Sequence, residues 1–169
     1  MDVKKYIYFE FEINSSCNKV WKLLSTEAGL KCFFAPNVKV DFRVGGAFEI
    51  LFDMSQPPGL RGSEGMIILN IEPEHMLSFT WNSPPTLPDV RQQMSVVHIY
   101  LAPTDKGCLV SFVNSGYGQS ESWQKARSYF TRAWGQIVLP RLKHAAEQGA
   151  LQWDGQDKIE PITYLKTVI

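Results

Sequence analysis

Between Ser120 and Gln148 the apolar residues return at helical spacing, with Trp123, Ala126, Phe130, Ala133, Trp134, Ile137, Val138, Leu142 and Ala145 on one stripe. At 1.5 Å per residue, a helix over this span is about 44 Å long, and a helix of that length can cross a whole β-sheet. Its apolar stripe needs a broad apolar surface to cover it, and the rest of the chain must supply one. Pro140 falls inside the stripe, where it removes a backbone hydrogen bond, and a bend is expected there.

The preceding residues have the required pattern. "YIYFEFEI", residues 6–13, alternates Ile7, Phe9, Phe11 and Ile13 with Tyr6, Tyr8, Glu10 and Glu12, the period of a strand with one wet face. Ser15 or Ser16 can cap a helix carrying Val20, Trp21, Leu23 and Leu24, and a second short helix ends by Pro36. Six strand-like runs follow, at 38–43, 46–53, 65–72, 76–82, 94–102 and 108–115, separated by turn-forming clusters such as "SQPPGLRG", "NSPPTLPD" and "TDKG". Gly45-Gly46, in "KVDFRVGGAFEILFD", is read as the tight reversal between two of these strands rather than a phosphate loop. Short links and alternation imply an antiparallel meander. The domain is expected over residues 1–150, with 151–169 an extension whose Trp153, Ile159, Ile162, Tyr164, Leu165, Val168 and Ile169 pack on the domain or on a partner.

Composition narrows the function classes. Seventeen Lys and Arg balance seventeen Asp and Glu, so no basic excess is available for phosphates or anionic membranes, and nucleic acid and membrane are not expected partners. Ten Phe, six Tyr and five Trp in 169 residues supply large side chains for a core or a pocket. Cys17, Cys32 and Cys108 are odd in number and widely spaced, so they are read as reduced and buried, which favours a cytoplasmic protein. The N-terminus has no signal-type apolar run. His75, His98 and His144 have no ligand spacing, and no cofactor or metal motif is found.

The order of elements, a strand, two short helices, six strands and a long helix, is the helix-grip arrangement: an α+β fold in which a curved antiparallel sheet of about seven strands wraps the C-terminal helix. The segments "FFAPNVKVDFRVGGAFEI", "GSEGMIILNIEPEHMLSFTWNS", "VVHIYLAPTDKGCLVSFVNSGYG" and "YFTRAWGQIVLPRLKHAAEQG" resemble the START-like SRPBCC superfamily. More narrowly, they resemble the family named after the C-terminal domain of the heat-shock-protein-90 ATPase activator. The resemblance spans roughly residues 5 to 149 and rests on the set formed by Gly45-Gly46, the P-x-x-x-L-x-F-x-W pattern from Pro73 to Trp81, and Ala133-Trp134 on the helix. It implies a cavity between helix and sheet. It does not imply a reaction, because relatives of this fold bind lipids, hormones or polyketides, assist chaperones, or catalyse cyclisation and hydrolysis.

If the apolar side of each strand is the concave side, the lining draws on Phe9, Phe11, Phe48, Ile50, Phe52, Ile67, Leu69, Phe79, Trp81, Val97, Ile99, Val110 and Phe112, faced by Trp123, Phe130, Trp134 and Ile137 from the helix. The alternative is that these side chains fill the space. Asn114, two residues past Phe112, points inward and either orients a ligand or is a tied-down amide. Arg127, one turn after Trp123, either meets a carboxylate or phenolate at the mouth or lies on a solvated helix face. Glu10, Glu12, Glu49 and Asp53 fall on wet faces. The loops "DMSQPPGLRGSEG" and "NSPPTLPDVRQQ" are long for hairpins and read equally as binding loops or stiffened corners.

Three functions are compatible with this reading. The leading one is a non-enzymatic carrier or sensor of a small hydrophobic or aromatic molecule, lipid or polyketide-like. The second is a cyclase or hydrolase using Asn114, Tyr117 or Arg127 with water. The third is an interaction module, either co-chaperone-like or a homodimer formed through a sheet edge and the apolar tail.

Overall fold

The computed structural model describes residues 5–169. Strand β1 (Tyr6–Ile13) buries Ile7, Phe9, Phe11 and Ile13 as its alternation demands. Helix α1 (Cys17–Ser25) is capped by Ser16, whose hydroxyl accepts from the Lys19 N–H at 3.1 Å, and α2 (Glu27–Lys31) by Thr26, which accepts from Gly29. Strands β2 (Asn37–Val40) and β3 (Phe48–Leu51) pair antiparallel. β4 (Ile68–Glu72), β5 (Met76–Trp81), β6 (Ser95–Thr104) and β7 (Gly107–Ser115) follow as a meander, with the single helical turn α3 (Pro88–Arg91) between β5 and β6.

The main sheet has six strands in the order β4-β5-β6-β7-β1-β8, where β8 (Lys166–Val168) comes from the tail. The β2-β3 pair is a second sheet, joined to the first by the Ala47–Ile67 bridge and by hydrogen bonds from Phe48 N–H to Met66 O and from Ile68 N–H to Gly46 O. The expected single sheet of about seven strands is therefore a six-stranded sheet continued by a two-stranded one. Between β2 and β3 the chain reverses at Gly45-Gly46. Gly45 takes φ +79°, and a Cβ on Gly46 would lie 2.0 Å from the Asp41 carbonyl oxygen, so two different constraints select the two glycines.

The long helix fills the concave side. It runs as α4 (Glu121–Arg132), a π-helical turn (Ala133–Val138) and α5 (Leu139–Glu147). The irregularity thus precedes Pro140 instead of forming a kink at it. In the π turn the Leu139 N–H donates to the Trp134 carbonyl, five residues back. Gly135 consequently loses its helical partner: Leu139 is engaged elsewhere, and the next residue, Pro140, has no N–H. The tail supplies the missing donor, with Tyr164 Oη donating to the Gly135 carbonyl at 2.6 Å.

Two further expectations are corrected. Cys17 and Cys108, 91 residues apart, form a disulfide that ties α1 to the start of β7, with Cα atoms 5.0 Å apart, while Cys32 is free and only partly buried. Wide spacing conceals this pairing, because the β1–β7 ladder ends at Ile13 opposite Cys108 and only that register brings α1 beside it. Ile67 and Leu69 do not face inward; Met66 and Ile68 do. "MIIL" offers apolar residues at both parities, and the bridge to Ala47 with the bulge between Ile68 and Asn70 decides between them.

Candidate functional site

Trp134 organises the centre of the grip. Its indole lies 4.8 Å from Phe112, 5.1 Å from Trp81 and 5.8 Å from Phe34, centroid to centroid, and its Nε1–H donates to Asn114 Oδ1 at 3.1 Å. The same oxygen accepts from Tyr117 Oη at 2.5 Å, and Asn114 Nδ2 donates to Ser95 Oγ and the Val96 carbonyl. Every hydrogen-bonding position of the Asn114 amide is filled by protein, as a fully buried amide requires. Burial pushes the Tyr117 hydroxyl far above the usual tyrosine range against the pull of nearby Arg127. Arg127 itself reaches from α4 to the Tyr6 carbonyl at 3.4 Å, and its buried Nε has no partner among the described residues.

Phe9, Phe11, Phe48, Ile50, Phe79, Ile99 and Phe112 lie in the packed core around this centre, and Trp123 is buried beside Tyr117. Phe9 packs against Tyr164 in a tilted pair, centroids 4.6 Å apart, and its ring tip occupies the space where a Cβ of Gly135 would stand. Four of the candidate residues meet elsewhere. Phe52, Trp81, Phe130 and Trp134 line an open cleft at one side of the grip, bounded by the 52–62 loop, the 81–86 loop and the α4 to α5 helix.

The cleft has two lobes that share Phe52, Trp81, Tyr129 and Phe130. One, of about 360 Å³, is walled by Leu60, Arg61, Asn82, Ser83 and Arg91. The other, of about 210 Å³, is walled by Ala133, Trp134, Ile137, Val138 and Arg141. Phe52, expected inward, is 49% exposed because β3 ends at Leu51, and Ile137 is 47% exposed because the π turn rotates it off the stripe. Both become the apolar rim of the cleft, together with Tyr129.

Arg91, which no sequence motif singles out, is the residue that fixes the loops. Its buried guanidinium donates to the carbonyls of Ser83 (2.5 Å), Gly59 (2.7 Å) and Gly62 (2.9 Å) and lies 3.6 Å from Glu64 Oε2. Glu64 in turn accepts from the N–H groups of Gly59, Arg61 and Gly62. Burial works to raise the Glu64 carboxyl pKa, and these backbone donors outweigh it, so the group sits below its ordinary value. The two long loops are thereby riveted to each other. A Pro-rich loop followed by "PDVR" was the available signal, yet nothing in spacing shows that an Arg turns inward. Among the described residues no group of three or more His, Cys, Asp or Glu is placed to hold a metal ion, and no helix is long and apolar enough to cross a membrane.

An α+β grip of this topology, with a centre closed by an indole and a cleft open at its side, defines a helix-grip protein of the START-like kind. Residues 14–147 match the model of the activator of Hsp90 ATPase homolog 1-like proteins, and the chain belongs to that family. None of the curated proteins compared matches it. Among solved structures it is similar to protein MLL2253 from Mesorhizobium loti, at 25% identity over 83% of this chain and 95% of that one, TM-score 0.64. It also shares its fold with the Aha1 dimer from Colwellia psychrerythraea (17% identity, 86% and 98% covered, TM-score 0.64). A third is CalU16 from Micromonospora echinospora (18% identity, 88% and 76% covered, TM-score 0.60).

Proposed function

We propose that this protein binds a small hydrophobic or aromatic molecule, as a carrier or sensor and without chemical conversion, in the cleft between helix α4, its π turn and the two riveted loops. The observation that carries the reading is the set of large apolar side chains left facing solvent there. Phe52, Tyr129 and Ile137 are about half exposed around a concave surface whose floor is Trp81, Phe130 and Trp134, an arrangement that favours an apolar occupant. Asn114 and Tyr117, two of the polar groups considered for catalysis, do not line this surface; they spend their hydrogen bonds on each other and on Ser95, Val96 and Trp134.

Trp81 and Trp134 in the cleft wall provide the readout. Titration with a panel of fatty acids, flavonoids and polycyclic aromatics is expected to give a saturable change in Trp fluorescence and a raised melting temperature for at least one class. Tyr129→Ala and Phe52→Ala, at exposed positions, should weaken that binding about tenfold with little effect on the fold. A panel without any saturable response would overturn the proposal.

A further inference from the structure

The cleft is apolar in its walls but not neutral in charge. Arg61, Arg91 and Arg141 line it against a single acid, Asp53, whose carboxylate is already taken by the N–H and hydroxyl of Ser55 and the amide of Gln56. In a chain whose charges balance overall, this local surplus of cations is a selective feature. The three arginines are not equivalent. Arg91 is spent on three carbonyls and Glu64, and Arg61 gives its Nε to the Gln56 carbonyl. Arg141, half-buried on α5 in the smaller and more apolar lobe, has no carboxylate partner and no hydrogen-bond acceptor among the described residues. Its guanidinium rests on the Trp153 ring, 5.4 Å from the centroid.

A guanidinium partly withdrawn from water, with its nitrogens still reachable and no anion beside it, gains free energy when an anionic ligand pairs with it. Burial lowers the Arg141 pKa, consistent with a charge lacking compensation. A planar fork matches a carboxylate in two parallel hydrogen bonds, and one cation balances one negative charge, whereas a phosphate dianion would carry a surplus into an apolar lobe. Rings attached to such a carboxylate would lie along Phe52, Trp81, Tyr129 and Phe130, the residues common to both lobes.

We infer that the cleft selects a small aromatic carboxylate, its anion received by Arg141 and its rings held against Trp81 and Phe130. This rests on the reading that the cleft holds a small molecule, and it names the chemical class. Tail residue Trp153 then becomes part of the site, because it holds the guanidinium in place by its π face while its Nε1–H is anchored to the Lys31 carbonyl at 2.9 Å.

The test uses the full chain near neutral pH and matched probes, 2-naphthoate and 9-anthroate against 2-naphthamide and 9-anthramide, followed by Trp fluorescence and calorimetry. The carboxylates are expected to bind at least about tenfold tighter than the amides, the size of one charge-assisted hydrogen bond. In Arg141→Gln the gap should close to the amide affinity, and Arg141→Lys should keep part of it. In the wild-type chain the Arg141 nitrogen-15 Nε resonance should move with 2-naphthoate and not with 2-naphthamide, which reads the same contact even if Arg141→Gln fails to fold. Equal binding of acid and amide by the wild type would sink this inference and leave the apolar site standing. A gap that survives in folded Arg141→Gln would sink it too, by assigning the anion to another arginine. No binding by any of the four probes would count against both readings.

Discussion

Asn114 shows how much one buried amide can organise. It holds Tyr117, Trp134, Ser95 and the Val96 carbonyl together at the end of β7. Asn114→Leu would leave the Tyr117 hydroxyl and the Trp134 indole N–H without acceptors, at about 1–3 kcal/mol for each stranded group. Chemical denaturation should show a loss of several kcal/mol, and Tyr117→Phe a smaller loss of about 1 kcal/mol. Gly135 is constrained differently, by space: a Cβ there would stand 2.6 Å from Phe9 Cζ. Gly135→Ala is expected to destabilise by about 1–3 kcal/mol through overpacking, a cost that a compensating Phe9→Leu should reduce in a double-mutant cycle.

The elements are held by two long-range fastenings. The Cys17–Cys108 disulfide closes a loop of about 90 residues, for which chain-entropy arguments give roughly 4–5 kcal/mol, with measured values commonly about 2–4. Cys17→Ser, or reduction of the wild type, should lower the denaturation midpoint accordingly, and dithiothreitol should have no further effect on the variant. The tail is the second fastening. Tyr8 to Glu10 of β1 pair with β8, Tyr164 covers Phe9 and Phe11, and Leu151 N–H donates to the Cys32 carbonyl. Removal of residues 151–169 would uncover the β1 edge and two core phenylalanines and leave the Gly135 carbonyl unpaired. A marked loss of stability and concentration-dependent association, read by light scattering, are the expected results.

For the molecule as a whole, the loops that frame the cleft are joined by Arg91 and Glu64, so the shape of the site depends on a charge. The Glu64 carboxyl is depressed in the folded state, so its stabilising contribution is complete above its unfolded pKa and is lost as pH falls through the lower folded value. The 53–65 loop should therefore loosen in acid, and hydrogen exchange of the Gly59, Arg61 and Gly62 amides as pH is lowered should show it. Glu64→Gln should have faster exchange at neutral pH and a flatter dependence on acid. Cleft affinity for an apolar probe should fall in parallel.

The strands around Ile7, Phe9, Phe79 and Phe112, a serine cap at Ser15 or Ser16 and the long helical stripe were legible because local periodicity and capping chemistry express themselves within a few residues. Gly45-Gly46 was legible as a turn for the same reason. Where the pattern was degenerate, as in "MIIL", or cut short, as at Phe52, only pairing with a neighbouring strand decided the face. The disulfide, the π turn, the docking of Tyr164 and the inward turn of Arg91 all join residues far apart in the chain, and no local periodicity encodes such contacts. Local patterning was enough to specify a curved sheet gripping a helix. Tertiary packing places Trp134 at the centre and leaves the aromatic surface open at the side, beside Arg141, which has no carboxylate partner among the described residues.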